Sequence, residues 1–96
     1  MTYFSRRQVI ELLHVEESFL VALELEEIVQ CDSPESEPGS YSEIMLERIR
    51  VADNLVHELE VNLPGVAVIV QMRESLADLR HQLESLAAEL HRTRHR

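Results

Sequence analysis

At 96 residues the chain is long enough for one small domain with a modest hydrophobic core. Its net charge of −9 opposes general attraction to nucleic acid or to an anionic membrane surface. The single cysteine excludes an intramolecular disulfide, and no apolar run reaches the ~20 residues of a membrane span. With no apolar run of signal-peptide length either, we expect a protein of the cytoplasm.

The N-terminal part of the sequence predicts two short helices joined by a tight turn. Ser5 and Gln8 have the spacing of a capping box, and apolar residues follow up to His14, where the first helix should end. A second helix should begin at residues 16–18, with Phe19, Leu20, Leu23 and Ile28 at helical spacing. This order is typical of a helix-turn-helix. Because the turn lacks glycine, we expect His14 or its neighbour to adopt a less favoured backbone conformation.

A wing and a third helix come next. Residues 29–31 are predicted as a short strand, and residues 32–40 form a loop because they are rich in Pro, Ser and acidic side chains. Ser40 and Glu43 have the spacing of another capping box. The third helix that they begin should run about five turns, with apolar positions at Met45, Ile49, Ala52, Val56 and Leu59.

The most regular pattern begins at Pro64, which suits a first helical turn that Asn62 can cap. Apolar residues then alternate three and four apart from Ile69 to Leu90, a heptad pattern that predicts a helix of roughly 32 Å. From Ile69 to Leu76 we expect this stripe to pack on its own domain. Beyond that we expect a homodimer, parallel or antiparallel. The predicted dimer residues are Leu76, Leu79, Leu83, Leu86 and Leu90. The chain thus divides into residues 1–62 and a dimerisation helix over 63–96.

The sequence offers no pattern for catalysis or for a cofactor. His14, Cys31 and His57 match no metal-ligand spacing, and the two glycines cannot form a phosphate-binding loop. We interpret His14 as closing the first helix, His57 as lying on the exposed side of the third, and Cys31 as a small buried residue on the wing strand. No enzyme activity, cofactor or metal is therefore predicted.

Two segments carry a resemblance to a known family. Residues 58–68 read Glu-Leu-Glu-Val-Asn-Leu-Pro-Gly-Val-Ala-Val, and residues 76–80 read Leu-Ala-Asp-Leu-Arg. Together with the order of helices, they resemble the CbpM-like chaperone modulators of the MerR-like branch, although Leu63 stands where the best-known modulators place a tryptophan. The resemblance implies a mainly α fold, a MerR-like winged helix-turn-helix followed by a long C-terminal dimerisation helix. It also implies binding to the J-domain of a DnaJ-type or CbpA-type co-chaperone, and inhibition of that J-domain.

The charge pattern agrees with a partner other than DNA. Residues 8–47 contain 11 acidic side chains and no Lys or Arg, whereas phosphate contacts normally use cations. The resemblance places Val21 and Ala22 where DNA-binding relatives carry Arg and Tyr. A basic helix of a J-domain could therefore bind here, and apolar anchors would extend the lifetime of the complex. The predicted partner-binding residues are Glu16, Glu17, Phe19, Leu23, Glu24 and Glu27.

Two alternatives remain open at this point. The glutamates could simply form a solvated helix face, as most runs of charge do. The chain could also be a DNA-binding regulator of the MerR type, with a small basic patch on the first and third helices. The candidate DNA-contacting residues are Arg6, Arg7, Arg48 and Arg50.

Overall fold

A computed structural model describes residues 2–94, which form four helices and a small two-stranded sheet. The elements in order are β1 (Tyr3–Ser5), α1 (Arg6–Leu13), α2 (Glu17–Leu25), β2 (Ser40–Ser42), α3 (Glu43–Leu59) and α4 (Leu63–Arg94). The mainly helical fold with a long last helix is as predicted. None of the described helices has the length and apolar character needed to cross a bilayer.

The sheet differs from the predicted wing strand. β1 pairs antiparallel with β2, with Phe4 opposite Tyr41, whereas residues 29–31 form no strand. Val29 is buried in the core as part of an irregular segment, and Cys31 is exposed. The predictions of a strand over residues 29–31 and of a buried Cys31 were therefore wrong. Three-residue strands are too short to show the alternation that identifies a strand in a sequence.

Local capping explains where three of the helices begin. The Ser5 hydroxyl accepts from the Gln8 amide while the Gln8 side chain accepts from the Ser5 amide, so the predicted capping box of α1 is confirmed. At α3 the cap is Ser42, which accepts from the Met45 amide; the cap expected at Ser40 was wrong because Ser40 lies in β2. Asn62 accepts from the Gly65 amide at 2.9 Å, as expected for α4.

The Asn-Leu-Pro-Gly segment makes a close corner between α3 and α4. Glu60 ends α3 with a positive φ of 54°, and the Val61 amide then donates to the Leu55 carbonyl. A Cβ on Gly65 would lie 2.8 Å from a Val61 methyl carbon and 3.1 Å from the Asn62 side-chain oxygen. Only glycine allows this approach without movement of its neighbours, so Gly65 fits the corner for a steric reason.

The core joins α1, α2, α3, β2 and the first turns of α4. Val9, Leu20, Leu23 and Ile49 are fully buried, and Tyr41 brings the sheet into the same cluster. α4 adds two buried side chains, Val66 and Val70. The beginning of α4 is therefore packed against the core of residues 2–62.

α4 presents two different faces. Val66 and Val70 face the core, but Met72 and Leu76 are 59% and 63% exposed. The expectation that the heptad stripe packs on its own domain up to Leu76 was thus wrong for these two residues. At 3.6 residues per turn, the centre of the stripe lies roughly 140° around the helix from the side that carries Val66 and Val70. The same helix can therefore pack on its own core and leave the leucine stripe uncovered.

Candidate functional site

The turn between α1 and α2 sets the direction of the second helix. His14 ends α1 in the left-handed region with φ 56°, as the absence of glycine predicted. Val15 is buried directly after it, and Glu16 takes the extended conformation from which α2 begins. The left-handed conformation of His14 reverses the direction of the chain, and the buried Val15 side chain packs into the core. One side of α2 therefore faces the core and the opposite side faces solvent.

The structure brings five of the six predicted partner-binding residues to or near this surface. Glu16, Glu17 and Glu27 are exposed, and Glu24 is half-buried. Phe19 is also half-buried, and its ring centroid lies 5.2 Å from that of His57, which is exposed on α3 as predicted. Whether these residues bind a partner stays a prediction.

Leu23 does not belong to this surface. Its side chain is fully buried in the core, so it cannot anchor a partner, and its assignment as a contact residue was wrong. Two residues that the sequence reasoning missed take that place: Val21 is 42% exposed and Leu25 is 79% exposed. Nearly every residue from Phe19 to Leu25 is apolar, so hydrophobic periodicity could not show which side of α2 is covered.

Val21 and Leu25 lie between carboxylates. Residues 17, 21, 24 and 25 share one side of α2 because they are spaced three and four apart. We refer to this side and the two ends of the helix as the acidic face. Its members are Glu16, Glu17, Val21, Glu24, Leu25 and Glu27. An exposed leucine among carboxylates suits a partner that offers both apolar contact and positive charge.

One cation does approach the acidic face. The Arg6 guanidinium donates to a Glu24 carboxylate oxygen at 2.5 Å, and this hydrogen bond raises the pKa of Arg6. Glu24 is therefore compensated within the chain, and its contribution to an external contact is smaller than that of Glu17 or Glu27. Within residues 2–94, neither Glu17 nor Glu27 forms a salt bridge.

The other candidate DNA-contacting arginines are largely engaged within the chain. Arg48 makes two hydrogen bonds of 2.7 Å to Glu74 and a third of 3.2 Å to the Ile28 carbonyl. The bonds from Arg48 lower the pKa of Glu74. Arg50 pairs with Glu47 on α3 in the same way and lowers the pKa of Glu47. Of the four arginines proposed for DNA, three are thus ion-paired, while Arg7 is exposed at the start of α1.

The wing loop, residues 32–40, carries further negative charge. Asp32 accepts hydrogen bonds from the Ser42 amide and hydroxyl, and the Ser33 hydroxyl accepts from the Ser40 amide. These bonds hold both ends of the loop while Glu35 and Glu37 remain exposed. Within residues 2–94, no group of three or more His, Cys, Asp or Glu side chains could hold a metal ion.

The predicted dimer residues form a second exposed surface. Leu76, Leu79 and Leu83 are between 53% and 63% exposed, and Leu86 and Leu90 are 65% and 59% exposed. With Met72, they form one continuous stripe along α4 from Met72 to Leu90, which we call the leucine seam. Such a contiguous apolar surface is typical of an interaction site.

Comparison with known proteins identifies the family. A family model described as MerR HTH family regulatory protein matches residues 4–88. The chain belongs to this family. The match covers the helix-turn-helix, the wing and most of α4. No curated protein and no solved structure matches the chain. Membership in the MerR family therefore agrees with the predicted branch, and the finer resemblance to chaperone modulators remains a hypothesis.

Proposed function

We propose that this MerR-family chain is a chaperone modulator that binds the J-domain of a DnaJ-type, CbpA-like co-chaperone through its acidic face and inhibits it. The observation that carries the proposal is the chemistry of α2, the helix with which DNA-binding relatives read DNA. Its exposed side combines Glu17, Val21 and Leu25, and residues 8–47 contain no cation to contact phosphate. Nucleic acid is a poor fit to such a surface.

The two kinds of side chain on the acidic face would play different parts. The glutamates would attract the basic helix that the family resemblance assigns to the J-domain, which speeds encounter and sets orientation. Val21 and Leu25 would lose water on contact, which slows dissociation. A J-domain covered in this way could not present the same basic helix to the chaperone ATPase, so inhibition would follow by competition.

Titration calorimetry against the J-domain of the same organism's DnaJ-like co-chaperone, at two salt concentrations, tests this proposal. We expect binding that weakens at higher salt. Leu25→Asp should weaken binding at least tenfold, because the substitution removes an apolar anchor and leaves the rest of the α2 surface unchanged. Glu17→Gln with Glu27→Gln should weaken it roughly five- to tenfold at low salt.

A matched control separates local contact from total charge. Asp78→Asn with Glu84→Gln removes two negative charges from exposed positions on α4, on a different helix from the acidic face. This control should bind like the unmodified protein. Equal weakening by both pairs would point to a general charge effect, and no binding at low salt would reject the J-domain as partner.

The alternative function is a DNA-binding transcriptional regulator, with which family membership is equally consistent. Exposed Arg7 at the start of α1 is the arginine best placed to contact phosphate. Fluorescence anisotropy with duplex DNA from upstream of the gene would reveal it. Tight binding at low salt that is lost in Arg7→Ala would establish the regulator instead.

The leucine seam supports a second proposal, that two copies of the chain form a homodimer along α4. Each seam leucine would gain about 1.5–3 kcal/mol from full burial. Because the seam faces away from the core of its own chain, a partner helix could reach it without moving the N-terminal region.

A further inference from the structure

A cleft lies between the turn that joins α1 to α2 and the second half of α3. The residues that line it are His14, Val15, Glu16, Phe19, Asp53 and His57. Its volume of about 270 Å³ is smaller than the roughly 300–1,000 Å³ of pockets that enclose a whole small-molecule ligand. The cleft therefore has room for one side chain of a protein partner.

An aromatic ring and a positioned carboxylate meet in this cleft. The half-buried Phe19 ring lies with its centroid 5.2 Å from that of His57. Asp53 and His57 are one turn apart on α3, and the Asp53 Oδ1 atom accepts from His57 Nδ1 at 2.8 Å. Nδ1 carries the proton in this bond, because an ionised carboxylate can only accept. The bond fixes the carboxylate and leaves its Oδ2 atom able to accept from a ligand.

The charge of the cleft is complementary to a cation from outside the chain. Glu16 is exposed and lines the cleft with a second carboxylate, contributed from the side opposite Asp53. The chain contains no lysine, and within residues 2–94 no arginine lines the cleft. The basic groups in its walls are His14 and His57, and an imidazole is largely neutral above pH 7. Carboxylates and the face of an aromatic ring both attract an ammonium or guanidinium group.

We propose that this cleft receives one lysine or arginine side chain of the protein partner, whose cation contacts the carboxylates of Asp53 and Glu16 and the ring of Phe19. This contact rests on the proposed J-domain function and adds Asp53 to the residues that recognise the partner. Glu16 belongs both to the cleft and to the acidic face. A basic helix lying on the acidic face can therefore place one of its side chains in the cleft.

An NMR titration of the full-length protein with n-butylammonium chloride tests the cleft without a J-domain. This cation resembles the end of a lysine side chain, and n-butanol at equal ionic strength is the uncharged control. The titration is run at pH 8, where ordinary imidazoles carry no competing charge. We expect the amide signals of residues 14–19 and 53–57 to shift with an affinity on the order of millimolar, and n-butanol to leave them in place.

Asp53→Asn keeps the oxygen that accepts from His57 and removes the charge, so the fold should survive, and circular dichroism checks this. The variant should bind n-butylammonium roughly fivefold more weakly. Asp78→Asn makes the same change at an exposed position on α4 and should bind like the unmodified protein. Shifts spread evenly over the acidic surface, or equal binding by Asp53→Asn, would overturn the proposal.

Calorimetry then tests whether the J-domain uses the cleft. Each lysine and arginine of the J-domain is replaced by alanine and titrated against the unmodified protein and against Asp53→Asn. One of them should contribute roughly fivefold to the affinity for the unmodified protein and less than about twofold for Asp53→Asn, the coupling expected of two residues in contact. J-domain binding without such a coupled residue would overturn the contact and leave the proposed function standing. Localised n-butylammonium shifts without J-domain binding would reject the proposed function and support the cleft as a site for a basic side chain of another protein.

Discussion

The N-terminal core and the outer half of α4 use the same residue type at the same spacing, with opposite results. Leu20 is fully buried between the helices, whereas Leu83 on the leucine seam is 60% exposed. Both lie on an apolar stripe of a helix. The difference is that other elements of the same chain pack over the leucines of α2. The second half of α4 extends past those elements, and its leucines stay exposed. A regular stripe thus predicts that a surface will be covered, but not which molecule covers it.

The largest expected effect comes from placing charge on the leucine seam. Leu79→Asp with Leu86→Asp should weaken self-association at least about 1000-fold, because each chain loses two buried leucines worth about 1.5–3 kcal/mol each and 1.4 kcal/mol is tenfold. Sedimentation velocity measures this as a change from dimer to monomer. The outward-facing pair His81→Asp with Ala88→Asp introduces the same residues on the same helix and should remain dimeric. A dimer that persists in the seam variant would refute the interface.

An intermediate effect on the free energy of unfolding should distinguish a leucine of the core from a leucine of the seam. Leu20→Ala should lower the free energy of unfolding by about 2–5 kcal/mol, because it opens a cavity in the core. Leu83→Ala, made in the monomeric Leu79→Asp, Leu86→Asp background, should change it by less than about 0.5 kcal/mol. Urea unfolding gives both values. A large cost of Leu83→Ala in the monomer would mean that its own chain covers the seam.

The smallest effect concerns the ion pair between Arg48 on α3 and Glu74 on α4, which links the N-terminal core to α4. Arg48→Met should lower the stability by about 1–2 kcal/mol at neutral pH, because Arg48 bonds both Glu74 on α4 and the Ile28 carbonyl after α2. Partial exposure of both side chains keeps this value modest.

The same pair predicts a pH dependence. Because Arg48 lowers the pKa of Glu74 from its ordinary value of 4.5, the pair adds stability above that value. This stability is lost as the pH falls through the lowered pKa of the folded state. Urea midpoints measured from neutral pH to below pH 4 should therefore fall less steeply in Arg48→Met than in the unmodified protein. Parallel curves would show that Glu74 contributes nothing to the acid transition.

Local features of the fold follow from the sequence because they depend on residues close together in the chain. The capping box at Ser5, the cap at Asn62 and the left-handed His14 each involve a few neighbouring residues, and the structure confirms all three. The order of the four helices follows in the same way from hydrophobic spacing. The exposed acidic residues at both ends of α2 were also predictable, since carboxylates are rarely buried without a partner.

Other features required the tertiary structure. β1 pairs with β2 across more than thirty residues of sequence, which no local pattern reveals. On α2, almost uniform apolar character hid the difference between buried Leu23 and exposed Leu25. The ion pair between Arg6 and Glu24 joins residues 18 apart in the chain and neutralises one carboxylate of the acidic face. In each case the outcome depends on what lies opposite a side chain in space.

The sequence by itself determined the four helices, the acidic composition of the α2 surface and the heptad stripe on α4, because these depend on spacing and residue type. Only the tertiary structure decided which side of α2 and which side of α4 meet the core. The corner built on Gly65 orients α4 so that Val66 and Val70 pack inward. The rotation of the helix then directs the leucine seam outward, and that rotation depends on contacts between distant parts of the chain.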